Sequence, residues 1–284
     1  MRFAITGIDR SLSVLDAFLK AGWDPVKLFT VPVDNYHDYH ANIVNQANQL
    51  KIPVQMSRIV DADLKQLGEI GCDILVVASY NWRVGDWSRY IPYAVNFHPS
   101  LLPQARGPYP MIQAILQDEP HWGVTCHKLS PQFDEGDVLA QMAFPLTAEE
   151  THESINLKIE MTNSRLAGHV AKNFQALWDD AWPQEGGSYW PMPGEAERTI
   201  DFRESVASIL RQVRAYGLFE CKTQVNGTTV YVRRAVGWVE SHAYQPGALV
   251  YTQQRMMVIA ASDGLIGLIE WSAIKPGEQR HVGR

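Results

Sequence analysis

Short apolar strands alternate with amphipathic helix patterns along the first half of the chain, and this alternation constrains the fold more than any other feature. Strand-like runs occupy residues 2–7, 26–33, 52–59, 72–79, 93–98 and 123–129. Several are apolar throughout, as expected for strands buried on both faces. Between them, Leu12, Leu15, Phe18 and Leu19 share one helix face, and a second helix is predicted from Asp61. The pattern predicts an α/β fold with a doubly wound, mostly parallel sheet.

A long helix, a break and a second region are predicted for the rest of the chain. Apolar residues in helical register predict a helix over residues 151–178. Residues 183–197 hold three prolines and three glycines, so this segment is predicted to be a linker without regular structure. We therefore expect a first domain over residues 1–182 and a second over residues 198–284.

The second domain is predicted to be a small β-barrel of the OB-like type. One amphipathic helix is expected over residues 201–217. Asn226 and Gly227 stand between two strand-like runs, and such a pair is a strong signal for a two-residue hairpin turn. Three further strands are predicted within residues 248–271. A closed barrel is the arrangement that leaves no strand edge open in such a run.

Composition excludes several classes of protein. The hydrophobic fraction is 46% and the charged fraction 20%, which is typical of a folded globular chain. No apolar run approaches the roughly 20 residues of a membrane helix, and the first residues lack the features of a signal peptide. The three cysteines, Cys72, Cys126 and Cys221, have no metal-type spacing. We therefore expect a cytoplasmic protein with no membrane partner and no metal ion.

The net charge of −6 is unevenly distributed. Residues 1–190 carry 14 Lys and Arg against 22 Asp and Glu, a net charge of −8, and the remaining residues are net +2. Binding to nucleic acid phosphates needs clustered positive charge. The distribution argues against a nucleic acid partner. The oligomeric state, with a homodimer among the options, stays open.

The clearest chemical signature lies between Asn96 and Asp137. Asn96 and His98 are two apart on a predicted strand, so their side chains point to the same side at its carboxyl end. Ligands of parallel sheets bind beyond this end of the strands. An amide and an imidazole can donate hydrogen bonds to a developing oxyanion, and a carboxylate can orient the histidine or accept a proton. These residue types suit acyl transfer, although polar groups at a strand end can equally be structural.

The same stretch resembles the signature of the formyltransferases that use N10-formyltetrahydrofolate. These include methionyl-tRNA formyltransferase, glycinamide ribonucleotide transformylase and the sugar N-formyltransferases. Their pattern is Asn-x-His-x-Ser-Leu-Leu-Pro, then Arg-Gly, Gly-Val-Thr and Asp-x-Gly-Asp. It is matched in order by Asn96, His98, Ser100, Leu101, Leu102, Pro103, Arg106, Gly107, Gly123, Val124, Thr125, Asp134, Glu135, Gly136 and Asp137. Residues 199–217 resemble the start of the second domain of methionyl-tRNA formyltransferase, so the likeness covers nearly the whole chain.

The resemblance implies a Rossmann-like formyltransferase domain in which N10-formyltetrahydrofolate is the co-substrate. It implies that Asn96 and His98 stabilise the oxyanion, while Asp134 holds His98 and helps to remove the proton of the attacking amine. The residues implied to bind the folate are Val77, Ala78, Ser79, Tyr80, Asn81, Trp82, Ser130, Pro131, Gln132 and Phe133; core packing is an equal reading for Tyr80 and Trp82. The residues implied to form the substrate loop are Ser100, Leu101, Leu102, Pro103, Arg106, Gly107, Tyr109 and Thr125.

The acceptor amine is predicted from the segment after the second strand. Methionyl-tRNA formyltransferase carries a basic, glycine-rich insertion there, whereas residues 31–40 here contain no Lys or Arg. We therefore expect a small-molecule or carrier-bound amine, such as an amino sugar nucleotide or an amino acid. The alternatives are methionyl-tRNA formylation, hydrolysis of formyltetrahydrofolate, and a folate-binding module without turnover.

Two further features carry less weight. Asp34, His37, Asp38 and His40 have ligand chemistry for a metal, but no third ligand cluster accompanies them and a polar loop is the favoured interpretation. No G-x-G-x-x-G motif follows the first strand, which disfavours a dinucleotide cofactor.

Overall fold

The computed structural model describes residues 1–35, 37–254 and 256–275 and divides into two compact units. The first consists of Met1–Pro110, His121–Pro145 and Asn156–Pro191. The second consists of Met111–Pro120, Leu146–Ile155 and Met192–Arg284. Residues 276–284, at the end of the predicted second domain, lie outside the described residues. The predicted boundaries at 182 and 198 stay a prediction.

A seven-stranded sheet forms the centre of the first unit. Its strands are β1 (Arg2–Thr6), β2 (Asp24–Phe29), β3 (Val54–Gln55), β4 (Ile74–Val77), β5 (Tyr93–His98), β6 (His121–Lys128) and β7 (Val138–Pro145). They are ordered β3-β2-β1-β4-β5-β6-β7 across the sheet. β1 to β5 run parallel to one another, whereas β6 is antiparallel to β5 and β7 is antiparallel to β6. The doubly wound, mostly parallel sheet expected from the sequence is confirmed.

Helices follow most of these strands. They are α1 (Leu12–Lys20), α2 (Ala41–Gln49), α3 (Asp61–Glu69), α4 (Pro110–Leu116) and α5 (His152–Asp179). The central strands are inaccessible on both faces, with Ile5, Leu75 and Val95 all fully buried, which explains why their sequences are apolar without alternation. α5 starts just after Thr151, whose Oγ1 accepts a hydrogen bond from the Ser154 N–H at 3.1 Å.

Two elements of the first unit were not predicted. α2 is rich in Asn and Gln and buries only Ile43 and Ala47, so it has few apolar residues from which a helix could be predicted. β7 lies at the edge of the sheet, and only its first three residues and Phe144 are buried. The predicted start of α3 at Asp61 is confirmed, and the side chain of Asp63 accepts a hydrogen bond from the Val60 N–H at 2.9 Å.

The second unit contains most of α4, the first residues of α5 and, in its later described residues, a helix and an antiparallel sheet. These later elements are α6 (Val206–Tyr216), β8 (Cys221–Val225), β9 (Thr228–Val239), β10 (Leu249–Gln253), β11 (Met256–Ala260) and β12 (Gly264–Ser272). The strands are ordered β10-β11-β12-β9-β8. The predicted hairpin is confirmed, because Asn226 and Gly227 have φ of 48° and 78°, as a type I′ turn requires.

The start of α6 and the closure of the sheet differ from what the sequence predicts. The helix predicted over residues 201–217 begins at Val206, because Asp201 and Glu204 close a turn before it. The expected antiparallel sheet is present, but within the described residues β8 and β10 are its two edges and closure into a barrel is not shown. Among the described residues, no helix has both the length and the apolar character needed to cross a membrane.

Candidate active site

Two neighbouring strands of the first unit present polar side chains on the same face of the sheet. β5 and β6 are antiparallel, and their register places Asn96 opposite His127 and His98 opposite Thr125. Because side chains two apart on a strand share a face, all four lie on one side. Phe97, between Asn96 and His98, is 5% exposed and anchors the strand in the core.

Asp134 lies on the loop between β6 and β7 and contacts both predicted partners. Its Oδ1 atom is 3.3 Å from Nδ1 of His98 and 3.3 Å from Nδ2 of Asn96. Its Oδ2 atom accepts a hydrogen bond from the backbone N–H of Gly107 at 3.0 Å. The side chains of His98 and Asp134 are only 5% and 12% exposed. The structure therefore brings Asn96, His98 and Asp134 into one buried cluster, and their catalytic roles stay a prediction.

The hydrogen bonds of this cluster fix the orientation of Asn96. A carboxylate only accepts hydrogen bonds, so the amide nitrogen of Asn96, and not its oxygen, faces Asp134. The same nitrogen lies 3.1 Å from Nε2 of His127, which must then be the acceptor. Nδ1 of His127 donates to the carbonyl of Lys128 at 2.8 Å. His127 is therefore a neutral imidazole with its proton on Nδ1.

Burial and neighbouring charges set the protonation of His127 and Asp134. Burial, together with the nearby His98, lowers the pKa of His127 to about 4. Burial alone would raise the pKa of Asp134, but the hydrogen bond and charge of His98 and the N–H of Gly107 lower that pKa to about 2. At neutral pH the cluster therefore holds a carboxylate anion beside a neutral His127.

Both ring nitrogens of His98 face acceptors. Nε2 lies 2.9 Å from the carbonyl oxygen of Ala105, and Nδ1 faces Asp134. A neutral ring carries one proton and can satisfy only one of these two acceptors at a time. His98 is thus placed to hold or release a proton at either end.

Several residues implied to form the substrate loop hold that loop in place. The hydroxyl of Thr125 donates to the carbonyl of Ser100 at 2.7 Å and accepts from the N–H of Leu102 at 3.0 Å. Gln141 donates to both Thr125 Oγ1 and the Leu102 carbonyl, at 2.9 and 2.6 Å. Ser100, Leu102 and Thr125 are buried. Their side chains organise the chain after β5 and are inaccessible to solvent.

The remaining predicted loop residues have other neighbours. Leu101 packs on Gly123, where an added Cβ would meet its Cδ2 at 2.5 Å. The carbonyl of Pro103 accepts from the N–H of Ser188 at 3.2 Å. Two different parts of the chain therefore hold the loop: Leu101 contacts β6, and Pro103 contacts the segment that follows α5.

Tyr109 belongs to a polar cluster with the loop that follows β2. Its hydroxyl donates to Asp38 at 3.5 Å, and its ring lies 5.7 Å from the guanidinium of Arg10. Arg10 forms an ion pair with Asp38 at 3.1 Å. Asp34 instead pairs with His37, at 2.6 Å. The described part of the chain contains no group of three His, Cys, Asp or Glu side chains placed to hold a metal, and the DNYHDYH segment forms a polar loop over its described residues.

The residues predicted to bind folate lie at the carboxyl end of β4 and after β6. Val77 is opposite Asn96 in the ladder between β4 and β5, so this segment begins next to the cluster of Asn96, His98 and Asp134. The hydroxyl of Tyr80 accepts a hydrogen bond from the N–H of Ile59 at 2.7 Å, and its ring meets Trp82 edge-on at 5.4 Å. The side chain of Tyr80 is thus partly committed to packing.

The second predicted folate segment is a loop with little buried surface. Ser130 donates to the carbonyl of Gln132 at 2.7 Å, and the side chain of Phe133 is 60% exposed. Pro131 completes the turn between them. The loop runs directly into Asp134.

Two site residues were not predicted. His127 could have been found, because it lies two residues after Thr125 on the same predicted strand face. Gln184 carried no local signal; it lies within the predicted linker and hydrogen-bonds to Arg106 and to the backbone of Asp134.

A buried amide, imidazole and carboxylate at the carboxyl edge of an α/β sheet are the groups of an acyl-transfer enzyme. The formyl transferase family model matches residues 36–170, and the model of the formyl transferase C-terminal domain matches residues 194–278. The chain belongs to the formyltransferase superfamily. It is therefore an enzyme of the formyltransferase class, as the resemblance implied.

Individual relatives agree with this membership. The methionyl-tRNA formyltransferase of Paraburkholderia phytofirmans is 27% identical over 266 residues, covering 90% of this chain and 79% of the relative. HypX from Aquifex aeolicus, solved with tetrahydrofolic acid, superposes with a TM-score of 0.66 at 20% identity over 94% of this chain, which spans 43% of HypX. An N-formyltransferase from Helicobacter canadensis, solved with folinic acid and dTDP-3-aminofucose, has a TM-score of 0.66 at 18% identity over 94% of this chain and 98% of its own. The last two show a shared fold.

Proposed function

We propose that this protein transfers the formyl group of N10-formyltetrahydrofolate to a primary amine on a small-molecule or carrier-bound substrate. The observation that carries the proposal is the contact among Asn96, His98 and Asp134, at 3.3 Å for both bonds to the carboxylate. A family match over both parts of the chain supports the formyl chemistry.

The reaction exchanges one carbon–nitrogen bond for another. The amine nitrogen attacks the formyl carbon and forms a tetrahedral intermediate; the bond from that carbon to N10 then breaks. The acceptor nitrogen loses a proton and N10 of the departing tetrahydrofolate gains one, so protons balance. In the structure the amide hydrogens of Asn96 are donated to His127 and Asp134, and the ring nitrogens of His98 face Asp134 and Ala105. Asn96 and His98 must therefore each exchange one of these acceptors for the oxyanion as it forms; such donation is usually the largest source of stabilisation in acyl transfer.

Asp134 acts mainly as the partner of His98. Its low pKa makes its carboxylate a weak base, so direct removal of the amine proton is less favourable than transfer through His98 or water. A fixed anion beside the imidazole stabilises the ring when it carries a second proton. The carboxylate thus contributes by orientation and charge.

Open backbone edges near the cluster support the placement of the folate. Within the described residues, the N–H groups of Ser79, Tyr80 and Asn81 donate no hydrogen bond to another group. A pterin ring carries an amide and ring nitrogens that can pair with such an edge. Val77, opposite Asn96, begins this segment, so a folate held there would lie beside the cluster.

The class of acceptor amine is inferred from the charge of the chain and from its relatives. The acidic first 190 residues and the loop after β2, with no Lys or Arg, favour a small amine over tRNA. The solved relative with an amino sugar nucleotide supports the same class. Methionyl-tRNA is the second candidate, because relatives of that name match 90% of the chain.

Substitution of the cluster tests the chemistry. His98→Ala, Asn96→Ala and Asp134→Ala should each reduce formation of tetrahydrofolate by about 100-fold or more, since one oxyanion donor is worth about 3 kcal/mol. The exposed His169→Ala is the matched control and should retain activity. Circular dichroism confirms that each variant folds. Unchanged turnover in His98→Ala would contradict the assignment.

The acceptor is tested by omission and replacement. Purified enzyme and formyl donor are incubated with no amine, an amino sugar nucleotide, free amino acids or initiator Met-tRNA, and formylated product is measured. Formate release without an amine would indicate a hydrolase, and donor binding with no turnover in any arm would indicate a folate-binding module. Formylation of Met-tRNA alone would establish the second candidate.

A further inference from the structure

The loop that carries Asp134 has a backbone conformation that needs support. Asp134 has a φ of +59°, which lies in the left-handed region that is unfavourable for residues other than glycine. Two residues later, a Cβ on Gly136 would lie 1.8 Å from the Lys128 carbonyl, so the loop is pressed directly against β6. Such a conformation persists only where surrounding contacts hold it.

The side chain of Gln184 supplies contacts of this kind. Its Nε2 donates to the carbonyl of Asp134 at 2.9 Å and to the carbonyl of Gly136 at 2.8 Å. The first acceptor belongs to the strained residue itself. An amide NH2 has two hydrogens, so both are used on this one loop.

The other end of the same amide holds the loop that follows β5. Oε1 of Gln184 accepts from Nε and Nη2 of Arg106 at 3.1 and 2.9 Å. The next residue, Gly107, donates its N–H to Oδ2 of Asp134. The Gln184 side chain therefore connects two loops: the one that carries Asp134, and the one whose Gly107 N–H binds the Asp134 carboxylate.

The segment around Gln184 is itself held on the same loop. The N–H of Arg106 donates to the Ser188 carbonyl at 2.9 Å, and the N–H of Trp190 donates to the Arg106 carbonyl at 2.8 Å. Trp190 stacks on Trp122 of β6, with ring centroids 5.7 Å apart. The backbone around Gln184 is thus held in place independently of its side chain, so the side chain can position the two loops that it contacts.

We propose that Gln184 is a positioning residue for formyl transfer, which holds Asp134 in its left-handed conformation so that its carboxylate meets His98 and Asn96. This inference rests on the proposed function for its kinetic readout. Gln184 lies away from the reacting atoms and acts through Asp134 and Arg106. Its loss should lower kcat and leave the KM for the formyl donor nearly unchanged.

The isosteric variant Gln184→Glu distinguishes the donor role of the amide from its acceptor role. A carboxylate keeps the volume and still accepts from Arg106, but it has no hydrogen to donate to the Asp134 and Gly136 carbonyls. We expect kcat to fall by about 10- to 100-fold in Gln184→Glu, because a misplacement near 1 Å has an effect of that size. Gln184→Asn, which withdraws the amide by one methylene, should show a similar loss. Gln175→Ala, which removes exposed hydrogen bonds to Asp179, is the control and should match wild type.

A second readout does not depend on turnover. Long-range 1H–15N spectra of the histidine rings report the titration and tautomer of His98 and His127, and these signals should shift in Gln184→Glu and Gln184→Asn but not in Gln175→Ala. Wild-type kcat in both Gln184 variants, with unchanged ring signals, would overturn the proposal. If wild type transfers no formyl group to any amine but the ring signals still respond, the proposed function fails and the positioning role stands.

Discussion

His127 is a buried histidine that lies near a carboxylate and still has a pKa of about 4. Burial removes water from the ring, and electrostatic repulsion by His98 also disfavours its protonated form. The opposing attraction comes from Asp134, whose Oδ1 is 3.9 Å from Nε2, and it is smaller. As a neutral acceptor, His127 holds one amide hydrogen of Asn96 and leaves the other for Asp134.

The low pKa of His127 makes stability depend on pH. The unfolded histidine, with a pKa near 6.5, binds a proton below that pH, whereas the folded one does so only below about pH 4. The unfolded state therefore binds more protons in this window, and the free energy of unfolding falls as the pH falls from about 6.5 to 4. At pH 4.5 the loss should be about 2 to 3 kcal/mol relative to pH 7.5.

Urea unfolding of wild type and His127→Gln at these two pH values checks this prediction. The variant lacks the titrating ring, so its stability should decrease less than that of wild type over the same interval. The two proteins differ only at residue 127, so the difference between their losses reports the effect of that ring. Equal losses in the two proteins would show that His127 is not the group responsible.

At the scale of elements, capping explains where helices start better than the apolar pattern does. The amphipathic stretch before α6 extends to Asp201, yet the helix starts at Val206 because Ser205 is its N-cap. Its side chain accepts from the N–H of Ser208 at 3.2 Å. The N–H of Val206 is satisfied separately, by Asp263 Oδ1 at 2.7 Å.

Replacing this cap should destabilise the second unit by a modest amount. Ser205→Ala removes the acceptor for one free N–H of the first turn, which typically costs about 1 kcal/mol. Ser208→Ala, in the same turn, removes a hydroxyl that is not the cap and should have an effect near zero. Chemical denaturation of the two variants beside wild type measures the difference, and equal effects would refute the cap.

At the scale of the whole molecule, the second compact unit includes chain from before the predicted linker. Asp118 pairs with Arg211 at 3.1 Å, and the carbonyl of Ala148 accepts from Arg214 at 2.8 Å. Both partners of each pair lie in the second unit. Ile112 and Ile155, from the same early segments, are 1% and 0% exposed.

A fragment that ends in the linker should therefore be damaged. Residues 1–190 alone keep the early segments but lose residues 192–284, with which those segments form one unit. We expect a lower melting temperature and increased binding of a hydrophobic dye compared with the full chain. A fragment as stable as the full chain, with no added dye binding, would contradict this expectation.

The charge of the molecule predicts its behaviour towards tRNA. With a net charge of −8 over its first 190 residues, the protein neutralises few phosphates, so we expect a Kd for initiator tRNA in the range of about 10⁻⁴ to 10⁻⁶ M at physiological salt. Filter binding at low and physiological salt measures this. Nanomolar binding at physiological salt would show that the acidic surface is not the one that meets tRNA.

Features that depend on residues a few positions apart could be predicted from the amino-acid sequence alone. Strand and helix alternation, the shared face of Asn96 and His98, and the Asn226-Gly227 turn all follow from local periodicity and backbone preference. The class of chemistry followed from the spacing of a motif within one stretch of chain. These features are local, and the tertiary structure retained them.

Contacts between distant segments of the chain could not be predicted from the sequence. The bonds from Gln184 to Asp134 and Arg106 span 50 and 78 residues, and no local pattern distinguishes that glutamine from others in a linker. His127 meets Asn96 because β6 runs antiparallel to β5, which the strand pattern alone does not specify. The physical reason is that side-chain hydrogen bonds require atoms within about 3 Å, and the path of the whole chain decides which atoms come that close.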